Sequence, residues 1–248
     1  MKFNNLITPT LLSCVFAFSA NAWEPVPANA TDYNFATIKA GIAQPTNLGG
    51  NTGLDTANTA STAGILVGRK MMDMFSIDLE YLYMGKNTAS SYGGGPTPYN
   101  TSNSWQMSSN TFMLNATVDL IKDPKIRPYV RAGAGISRNK SYDYTATTQS
   151  VPGTNLETGE TTPPITNVAT YSGKTTNKFA WQVGGGATFK TTDMFDTQLE
   201  YMYINRGRVE TQANYSNTTS NLGQTTNAPA IYGDLKEHLI TIGLKVKF

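Results

Sequence analysis

The chain offers few side chains that could carry out catalysis or hold a metal ion. Its single histidine is His238, and its single cysteine is Cys14. A catalytic triad needs a nucleophile, a base and an orienting acid, and no His-x-Ser pair or comparable nucleophile pattern accompanies the histidine. One histidine and scattered carboxylates also fall short of a metal-ligand set. The sequence therefore predicts a protein that is not an enzyme and has no catalytic residue, no metal site and no cofactor.

The first 22 residues have the features of a secretory signal. Lys2 gives a positive start, an apolar stretch runs from Leu6 to Ala20, and Ala20-Asn21-Ala22 is a small-x-small cleavage site. The alternative is a lipoprotein box at Leu11-Leu12-Ser13-Cys14, which would lipidate Cys14. That cleavage would leave a short leader and strand apolar residues on the mature chain, so we favour cleavage near Ala22.

Beyond the leader, the composition excludes several classes of protein. The 248 residues are enough for one domain of ordinary size, and only 15% of them are charged. A formal net charge of +2 gives no support for a nucleic-acid partner. No later window approaches the ~20 apolar residues that a membrane helix needs. Any membrane crossing must therefore use strands.

An alternation of apolar and polar residues predicts eight β-strands. We place them near residues 33–43, 61–70, 75–86, 105–121, 127–142, 171–190, 195–206 and 235–248. Tight connections near 71–74, 122–126 and 191–194 alternate with long ones at 44–60, 87–104, 143–170 and 207–234. The connections of an antiparallel meander lie alternately at its two ends, and such asymmetry is typical of bacterial outer-membrane proteins. The predicted fold is all-β: an eight-stranded antiparallel up-and-down transmembrane β-barrel with short periplasmic turns and long extracellular loops.

The charged residues of these strands fall on one face. Neighbouring side chains on a strand point to opposite sides, so Ile77 and Leu79 share one face and Asp78 and Glu80 the other. A lipid-facing charge near the bilayer midplane costs roughly 2–4 kcal/mol. We therefore expect a lumen-facing polar network made of Lys39, Asp78, Glu80, Asp119, Arg131, Lys190, Glu200, Lys245 and Lys247.

Parity alone leaves one alternative, a soluble lipocalin-like barrel with its apolar face inside. The loop asymmetry favours the membrane, as do Phe75 and Tyr83, which would lie about 20 Å apart along the membrane normal. His238 lies near the outer end of the last strand on its apolar side, so we expect an interfacial side chain. We expect an outer aromatic girdle made of Tyr142, Tyr144 and Tyr171, because the alternation places all three on the apolar face of their strands.

Four segments resemble a known family. The terminal Ile240 to Phe248, the segment Pro128 to Gly135 and the two Leu-Glu-Tyr-x-Tyr strands resemble opacity-protein and OmpX-like outer-membrane barrels. The resemblance implies that a C-terminal aromatic strand is the signal for the barrel-assembly machinery, and the matching residues are Ile242, Leu244, Val246 and Phe248. Members with similar Thr- and Asn-rich loops include rickettsial surface adhesins. The expected organisation is a signal peptide at 1–22, an N-terminal periplasmic segment at 23–32 and the outer-membrane barrel at 33–248.

The expected function lies in the loops rather than in the lumen. An eight-stranded barrel is barely wide enough for its own side chains, and mixed charges should pair and plug it. Loops on a rigid scaffold commonly carry binding, and exposed Tyr and Trp can anchor a partner. Candidate loop contacts are Tyr92, Tyr99, Trp105, Tyr215 and Tyr232.

We therefore expect a surface-exposed protein of a Gram-negative outer membrane that acts in adhesion or interaction and in envelope structure. A small porin-like channel is the second hypothesis, and an outer-membrane enzyme is the third. The expected partners are outer-membrane lipid, the barrel-assembly machinery and a host surface molecule, with no nucleic acid.

Overall fold

The computed structural model describes residues 31–46, 48–54, 56–94, 99–122, 125–150, 152–154, 161–217 and 225–248. The predicted signal peptide, Cys14 and most of the predicted segment 23–32 lie outside these ranges. Within them, no helix has the length and apolar character needed to cross a membrane.

Eight long antiparallel strands form a closed ring. The strands are β1 (Tyr33–Pro45), β2 (Ala60–Met71), β3 (Phe75–Gly94), β4 (Tyr99–Asp119), β5 (Ile126–Ser150), β6 (Thr175–Lys190), β7 (Phe195–Glu210) and β8 (Tyr232–Lys247). Each pairs with its neighbours along the chain, and β1 pairs with β8 to close the barrel. The predicted all-β, eight-stranded antiparallel architecture is confirmed.

The two ends of the barrel differ as the sequence predicts. Tight turns connect β2 to β3 at 72–74 and β6 to β7 at 191–194, and only a short connection separates Asp119 of β4 from Ile126 of β5. The opposite end carries the connection 46–59 and the segments between β5 and β6 and between β7 and β8. In a bacterial outer-membrane barrel the end with tight turns is periplasmic.

The long strands extend further outward than predicted. Residues 87–94 and 99–104, predicted as part of a loop, pair with each other as the outer ends of β3 and β4. Likewise, residues 143–150 continue β5 and pair with the short strand Thr166–Tyr171. The other short strands are Thr56–Ala57, Gly153–Thr154, Thr161–Thr162, Tyr215–Asn217 and Thr225–Thr226. We call the hydrogen-bonded outer ends of β3, β4 and β5 together with Thr166–Tyr171 and Tyr215–Asn217 the outer sheet.

An apolar band surrounds the barrel between the turns and the outer sheet. Ile126 and Ile136 mark its edges on β5, and ten residues at about 3.3 Å each with a ~40° tilt span about 25 Å of the membrane normal. That length matches the apolar band of outer-membrane barrels. Exposed apolar side chains of the band include Ile38, Ile42, Leu79, Phe112, Leu114, Val130, Ile136, Phe179, Val183, Leu199, Ile240 and Ile242.

Three β-bulges interrupt the strands near the outer edge of the band. They lie between Met84 and Asn87 in β3, after Ser141 in β5, and between Asn205 and Arg208 in β7. The third contains Gly207, whose φ of +75° favours glycine. Because a bulge adds one residue to one strand, it reverses the facing of every side chain beyond it.

Candidate functional site

A network of ions occupies the barrel interior at the level of the membrane midplane. Glu80, Arg131 and Glu200 each lie five residues from the periplasmic end of their strand, which is about 13 Å. The Arg131 Nη2 atom lies 2.6 Å from Asp78 Oδ1 and 3.1 Å from Glu80 Oε2, and Nη1 lies 3.4 Å from Glu200 Oε2. Lys39 bridges Glu80 and Glu200, with Nζ 2.6 Å from Glu200 Oε1. Two cations and three carboxylates thus pair with one another in the interior, which leaves one negative charge in excess.

Neutral polar side chains complete this network. Gln182 Nε2 donates to Glu80 Oε2 and Asn115 Oδ1 at 2.7 Å each, and Asn115 Nδ2 donates to Asp78 Oδ1 at 2.8 Å. Gly133 faces this group, and a Cβ there would lie 1.8 Å from the Asn115 amide oxygen. The glycine therefore makes room for a buried group that needs every hydrogen bond it can form.

A second layer of charges lies toward the periplasmic turns. Lys70 pairs with Asp119 at 2.6 Å, and Asp196 accepts from Arg127 at 2.7 Å and from Lys247 at 3.0 Å. Lys245 Nζ lies 3.7 Å from the centroid of the Phe35 ring, where a cation–π contact takes the place of a carboxylate.

Lys190 is placed differently from its predicted role in the interior network. Its side chain is exposed at the last position of β6 and pairs with Asp193 of the adjacent turn at 2.7 Å. Lys190 lies at the rim of the barrel, where a side chain on the inward face meets solvent rather than the buried ions. The other predicted members of the network are buried or lie at the periplasmic mouth: Lys39, Asp78, Glu80, Asp119, Arg131, Glu200, Lys245 and Lys247.

Several ions were not predicted: Lys70, Arg127 and Asp196 of the periplasmic layer, and one ion pair whose two side chains are both fully buried. Arg206 Nε lies 2.9 Å from Glu237 Oε2, and neither side chain is exposed. Arg206 also donates to Thr111, and its backbone oxygen accepts from Asn139 Nδ2 at 2.8 Å. The period of two residues could have revealed this pair, because Arg206 lies on the same face of β7 as Glu200, and Glu237 lies on the same face of β8 as Lys245.

The outer half of the interior contains a large apolar cluster beside the Arg206–Glu237 pair, which corrects the expectation of a polar lumen along the whole barrel. Its buried apolar cluster consists of Ala43, Leu48, Leu54, Ala60, Leu82, Met84, Ala89, Trp105, Met107, Tyr144, Met202, Ile204, Val209, Leu235 and Leu239. A barrel interior needs only to be filled, and apolar side chains shielded from water fill it as well as paired ions do.

Residues 48–54, in the connection between β1 and β2, fold over this cluster as a strap. Leu48 and Leu54 insert into it, and Tyr144 donates its hydroxyl to the backbone oxygen of Thr52 at 2.8 Å. The backbone nitrogen of Asp234 donates to the oxygen of Leu48 at 2.6 Å. The strap therefore closes the outer mouth on the side of β1, β5 and β8.

Trp105 is not a loop contact, which corrects its predicted role. Its side chain is 0% exposed, its Nε1 donates to Ser141 Oγ at 2.8 Å, and its ring meets Tyr144 edge-on at 6.0 Å. The physical reason is parity, because Trp105 and Asn115 lie on the same side of an uninterrupted β4.

The predicted outer girdle of Tyr142, Tyr144 and Tyr171 also needs correction, because β5 contains a bulge. Tyr144 lies inside and Tyr142 outside, because the extra residue after Ser141 reverses the facing. Tyr171 packs partly buried against the interior cluster.

The remaining predicted contacts lie on the outer part of the protein. Tyr92 and Tyr99 are exposed, at 73% and 52%, whereas Tyr215 and Tyr232 are half-buried. Tyr232 packs under Arg208, whose guanidinium lies 4.2 Å from the ring centroid, and Tyr215 stacks at 5.1 Å on Tyr171.

One open groove lies on the outer sheet. It has a volume of about 380 Å³ and is lined by Ala146, Thr148, Asn167, Ala169, Tyr215 and Asn217. These residues offer hydroxyl, amide and aromatic groups and no charge, so the groove suits a neutral polar ligand.

His238 lies on the outward face of β8 among aromatic side chains. Its Nδ1 lies 2.7 Å from the Tyr201 hydroxyl, and its ring stacks on that of Tyr201 at 5.8 Å and meets Tyr203 at 5.4 Å. The neighbours that contact it are tyrosines, so its surroundings resemble an interfacial girdle. In the part of the chain that the structure describes, no group of three or more His, Cys, Asp or Glu side chains could hold a metal ion.

The residues of the predicted assembly signal lie on the outward face of β8. Ile242 and Leu244 are exposed, whereas Val246 and Phe248 are half-buried. Phe248 and Asn34 exchange backbone hydrogen bonds of 2.9 Å, so the last residue is held at the β1–β8 seam.

The sequence matches the family described as outer membrane protein beta-barrel domain over residues 10–248. The chain belongs to this outer-membrane β-barrel family. The resemblance to small outer-membrane barrels is thereby confirmed, and the family implies an outer-membrane location. Among curated proteins, no sequence matches this chain.

Three solved outer-membrane proteins are similar to this chain at low identity. The outer membrane protein OprG from Pseudomonas aeruginosa is 14% identical, with a TM-score of 0.48 and coverage of 88% of this chain and 98% of that one. The attachment invasion locus protein Ail of Yersinia pestis is 11% identical, with a TM-score of 0.39 and coverage of 87% and 99%. The outer membrane protease OmpT from Escherichia coli is 13% identical, with a TM-score of 0.40 and coverage of 88% and 98%. At these identities the likeness concerns the fold alone.

Proposed function

We propose that this outer-membrane barrel acts at the cell surface, where its outer sheet binds a partner from a host or the environment. The observation that carries the proposal is the extension of β3, β4 and β5 beyond the apolar band as a hydrogen-bonded sheet. Strands hold their side chains in fixed positions, so such a sheet presents a preorganised surface at low entropic cost.

The filled interior supports the same proposal. The midplane ions pair with one another, the outer half is packed with apolar side chains, and the strap covers part of the mouth. A selective pore would instead expose charges of one sign to water. We therefore propose binding and envelope structure in preference to conduction.

The groove around Tyr215 narrows the chemistry of the partner. The Tyr215 ring, the Thr148 hydroxyl and the Asn167 amide line it, and none of its lining side chains is charged. Aromatic rings and amides are the groups that bind neutral, hydroxyl-rich molecules, so we propose a surface glycan as the occupant.

Two variants of the outer sheet test the proposal on whole cells. The first replaces Tyr92 to Ser102 by a two-residue turn, which shortens the β3–β4 hairpin without reaching the membrane band. The second is Tyr215→Ala in the groove. Binding of bacteria that display each variant to host cells should fall well below that of the parent, while Lys122→Gln on a periplasmic turn should leave binding unchanged. Equal binding by the parent and both outer variants would refute the adhesive role.

The competing functions have direct tests. Steady conductance of the purified barrel in planar bilayers would favour the channel hypothesis. Lipid hydrolysis or proteolysis that disappears in His238→Ala would favour an enzyme. Absence of both, together with loss of cell binding in the outer variants, is the result that we expect.

The proposal also includes export and assembly. We propose that residues 1–22 are removed near Ala22 during export and that Phe248 is read by the barrel-assembly machinery. The mass of the protein isolated from outer membranes reports the cleavage. Deletion of Phe248 should reduce the folded, heat-modifiable form of the protein in membranes.

A further inference from the structure

A cationic groove lies on the outer wall of the barrel just beyond the apolar band, around Tyr142 of β5. It has a volume of about 500 Å³, and its lining includes Lys140, Tyr142 and Asp143 on one side and Ser172 and Lys174 on the other. Lys140 lies four residues beyond Ile136, the outer edge of the band, which corresponds to about 10 Å along the membrane normal.

Two lysines contact the ring of Tyr142: Lys140 from the lining of the groove and Lys86 from β3 beside it. The Nζ atoms of Lys86 and Lys140 each lie 4.6 Å from the centroid of the Tyr142 ring. Both lysines are exposed, and within the described residues neither has a carboxylate oxygen within 4.0 Å. Contact with the ring stabilises each cation but leaves its charge uncompensated, so two positive charges without a carboxylate partner contact the same ring.

The neighbouring charges leave the groove positive. Lys174 and Lys178 share one carboxylate, Glu210, at 3.4 and 3.6 Å. Asp143 is the carboxylate that lines the groove, and its Oδ1 accepts a hydrogen bond of 2.9 Å from the backbone nitrogen of Gly173. Four lysines therefore face two carboxylates, and the excess charge is centred on Tyr142.

Directly below the groove, the barrel surface is apolar. Ile136 and Phe179 pair across β5 and β6 and are 61% and 67% exposed. A molecule that covers both surfaces must have hydrocarbon on one end and negative charge on the other. Lysine ammonium groups above a lipid-facing surface are suited to phosphate groups at the membrane interface.

We propose that this groove binds a phosphate group of an outer-leaflet glycolipid, with Lys86 and Lys140 as the phosphate ligands and Tyr142 as the residue that positions them. The acyl chains of the lipid cover Ile136 and Phe179. The site faces the membrane rather than a host, so it is independent of the groove around Tyr215.

The test uses the intact mature barrel in detergent micelles and diphosphoryl lipid A, with binding measured by native mass spectrometry. The double variant Lys86→Gln/Lys140→Gln should bind lipid A about thirtyfold more weakly than the parent, because two interfacial cations are removed. The double variant Lys86→Arg/Lys140→Arg keeps the charge and should retain most of the binding. Asp143→Asn should bind more tightly, since it removes a negative charge and keeps an oxygen for Gly173. Lys122→Gln, at the periplasmic end, is the control and should match the parent.

Two further variants separate positioning from folding. Tyr142→Phe keeps the ring and should bind as the parent does, whereas Tyr142→Leu should bind more weakly. Heat-modifiable electrophoretic mobility establishes that each variant is folded.

Several results would overturn the proposal. Unchanged binding by the folded Gln double variant would do so, as would equal binding of dephosphorylated lipid A. Displacement of lipid A by millimolar inorganic phosphate would assign the site to free phosphate. Lysine-dependent binding of a heparin fragment without lysine-dependent binding of lipid A would assign it to a sulfated sugar.

Discussion

Arg206 of β7 and Glu237 of β8 form an ion pair in the barrel interior, with Nε 2.9 Å from Oε2 and both side chains fully buried. Methionine and leucine side chains of the outer cluster share this half of the interior. An ion pair in such surroundings has given up its hydration, so each charge depends on the other.

Removal of one partner should therefore be far more damaging than removal of both. We expect Arg206→Met to lower the free energy of unfolding by about 3–5 kcal/mol, because Glu237 is left buried and unpaired. The double variant Arg206→Met/Glu237→Leu should recover most of that loss. Urea unfolding in phospholipid bilayers measures all three proteins, and a single variant as stable as the parent would contradict the buried pair.

Trp105 provides a second test, because the structure places it inside the barrel. We expect Trp105→Ala to lower the free energy of unfolding by about 3–5 kcal/mol through loss of apolar contacts and the cavity that it leaves. Tyr92→Ala is the matched control on an exposed aromatic residue and should change stability by no more than about 0.5 kcal/mol. Equal effects of the two substitutions would show that Trp105 lies on the surface.

The lipid-facing surface can be probed with a charge at two depths. Leu79 is 67% exposed in the middle of the apolar band, and Leu120 is 53% exposed at its periplasmic edge. Leu79→Arg should destabilise the barrel by about 2–4 kcal/mol in bilayers, and Leu120→Arg by about 1 kcal/mol or less. If the two variants were equally stable, the band would not be in contact with hydrocarbon.

The periplasmic turns contain a carboxyl with a predictable titration. Lys122 Nζ lies 2.6 Å from Asp73 Oδ2, and this hydrogen bond and charge hold the pKa of Asp73 below its ordinary value of 3.8. A carboxyl whose folded pKa is lowered stabilises the fold above its unfolded pKa, and that contribution is lost as the pH falls through the folded pKa. The window therefore lies in acid, below about pH 4.

Carbon-13 NMR titration of the Asp73 carboxyl measures this effect. The midpoint should lie below 3.8 in the parent and return toward 3.8 in Lys122→Gln. Asp193 is the control, because Lys190 lowers its pKa in the same manner and is untouched by the substitution. An Asp73 midpoint that did not move in Lys122→Gln would assign the shift to another cause.

The barrel itself could be predicted because lipid and interior impose opposite demands on alternate residues. A period of two residues persists along strands such as 75–83, so one assignment of faces positions Glu80, Arg131 and Glu200 together. The charge of Lys190 obeyed the same period, but its place at the rim could not be seen from alternation.

The prediction was wrong in the outer part of the protein, where lipid no longer covers one face of the strands. Toward the tip of the outer sheet both faces meet water, so residues 90–94 and 99–104 carry mostly polar side chains on each face and do not show the alternation of a strand. The bulge in β5 shifts Tyr144 by a single extra residue, which no composition signal marks. The apolar cluster in the outer half of the interior was also hidden, because Met202 and Leu82 share a parity with the ions and alternation does not distinguish the two groups.

The paired strands of the outer sheet allow the height of the protein above the membrane to change without a change of fold. From Ile136 to Ser150, β5 rises about 35 Å above the apolar band at the same tilt. Because Ser91 pairs with Asn103 and Tyr92 with Ser102, loss of two codons from each arm would lower the β3–β4 tip by about 5 Å and leave every remaining side chain facing as before. Loss of one codon from each arm would instead reverse the facing of every side chain in the tip. Paired deletions of two residues from each arm thus change the height of the outer sheet in steps of about 5 Å, and the part of the barrel that crosses the membrane stays the same.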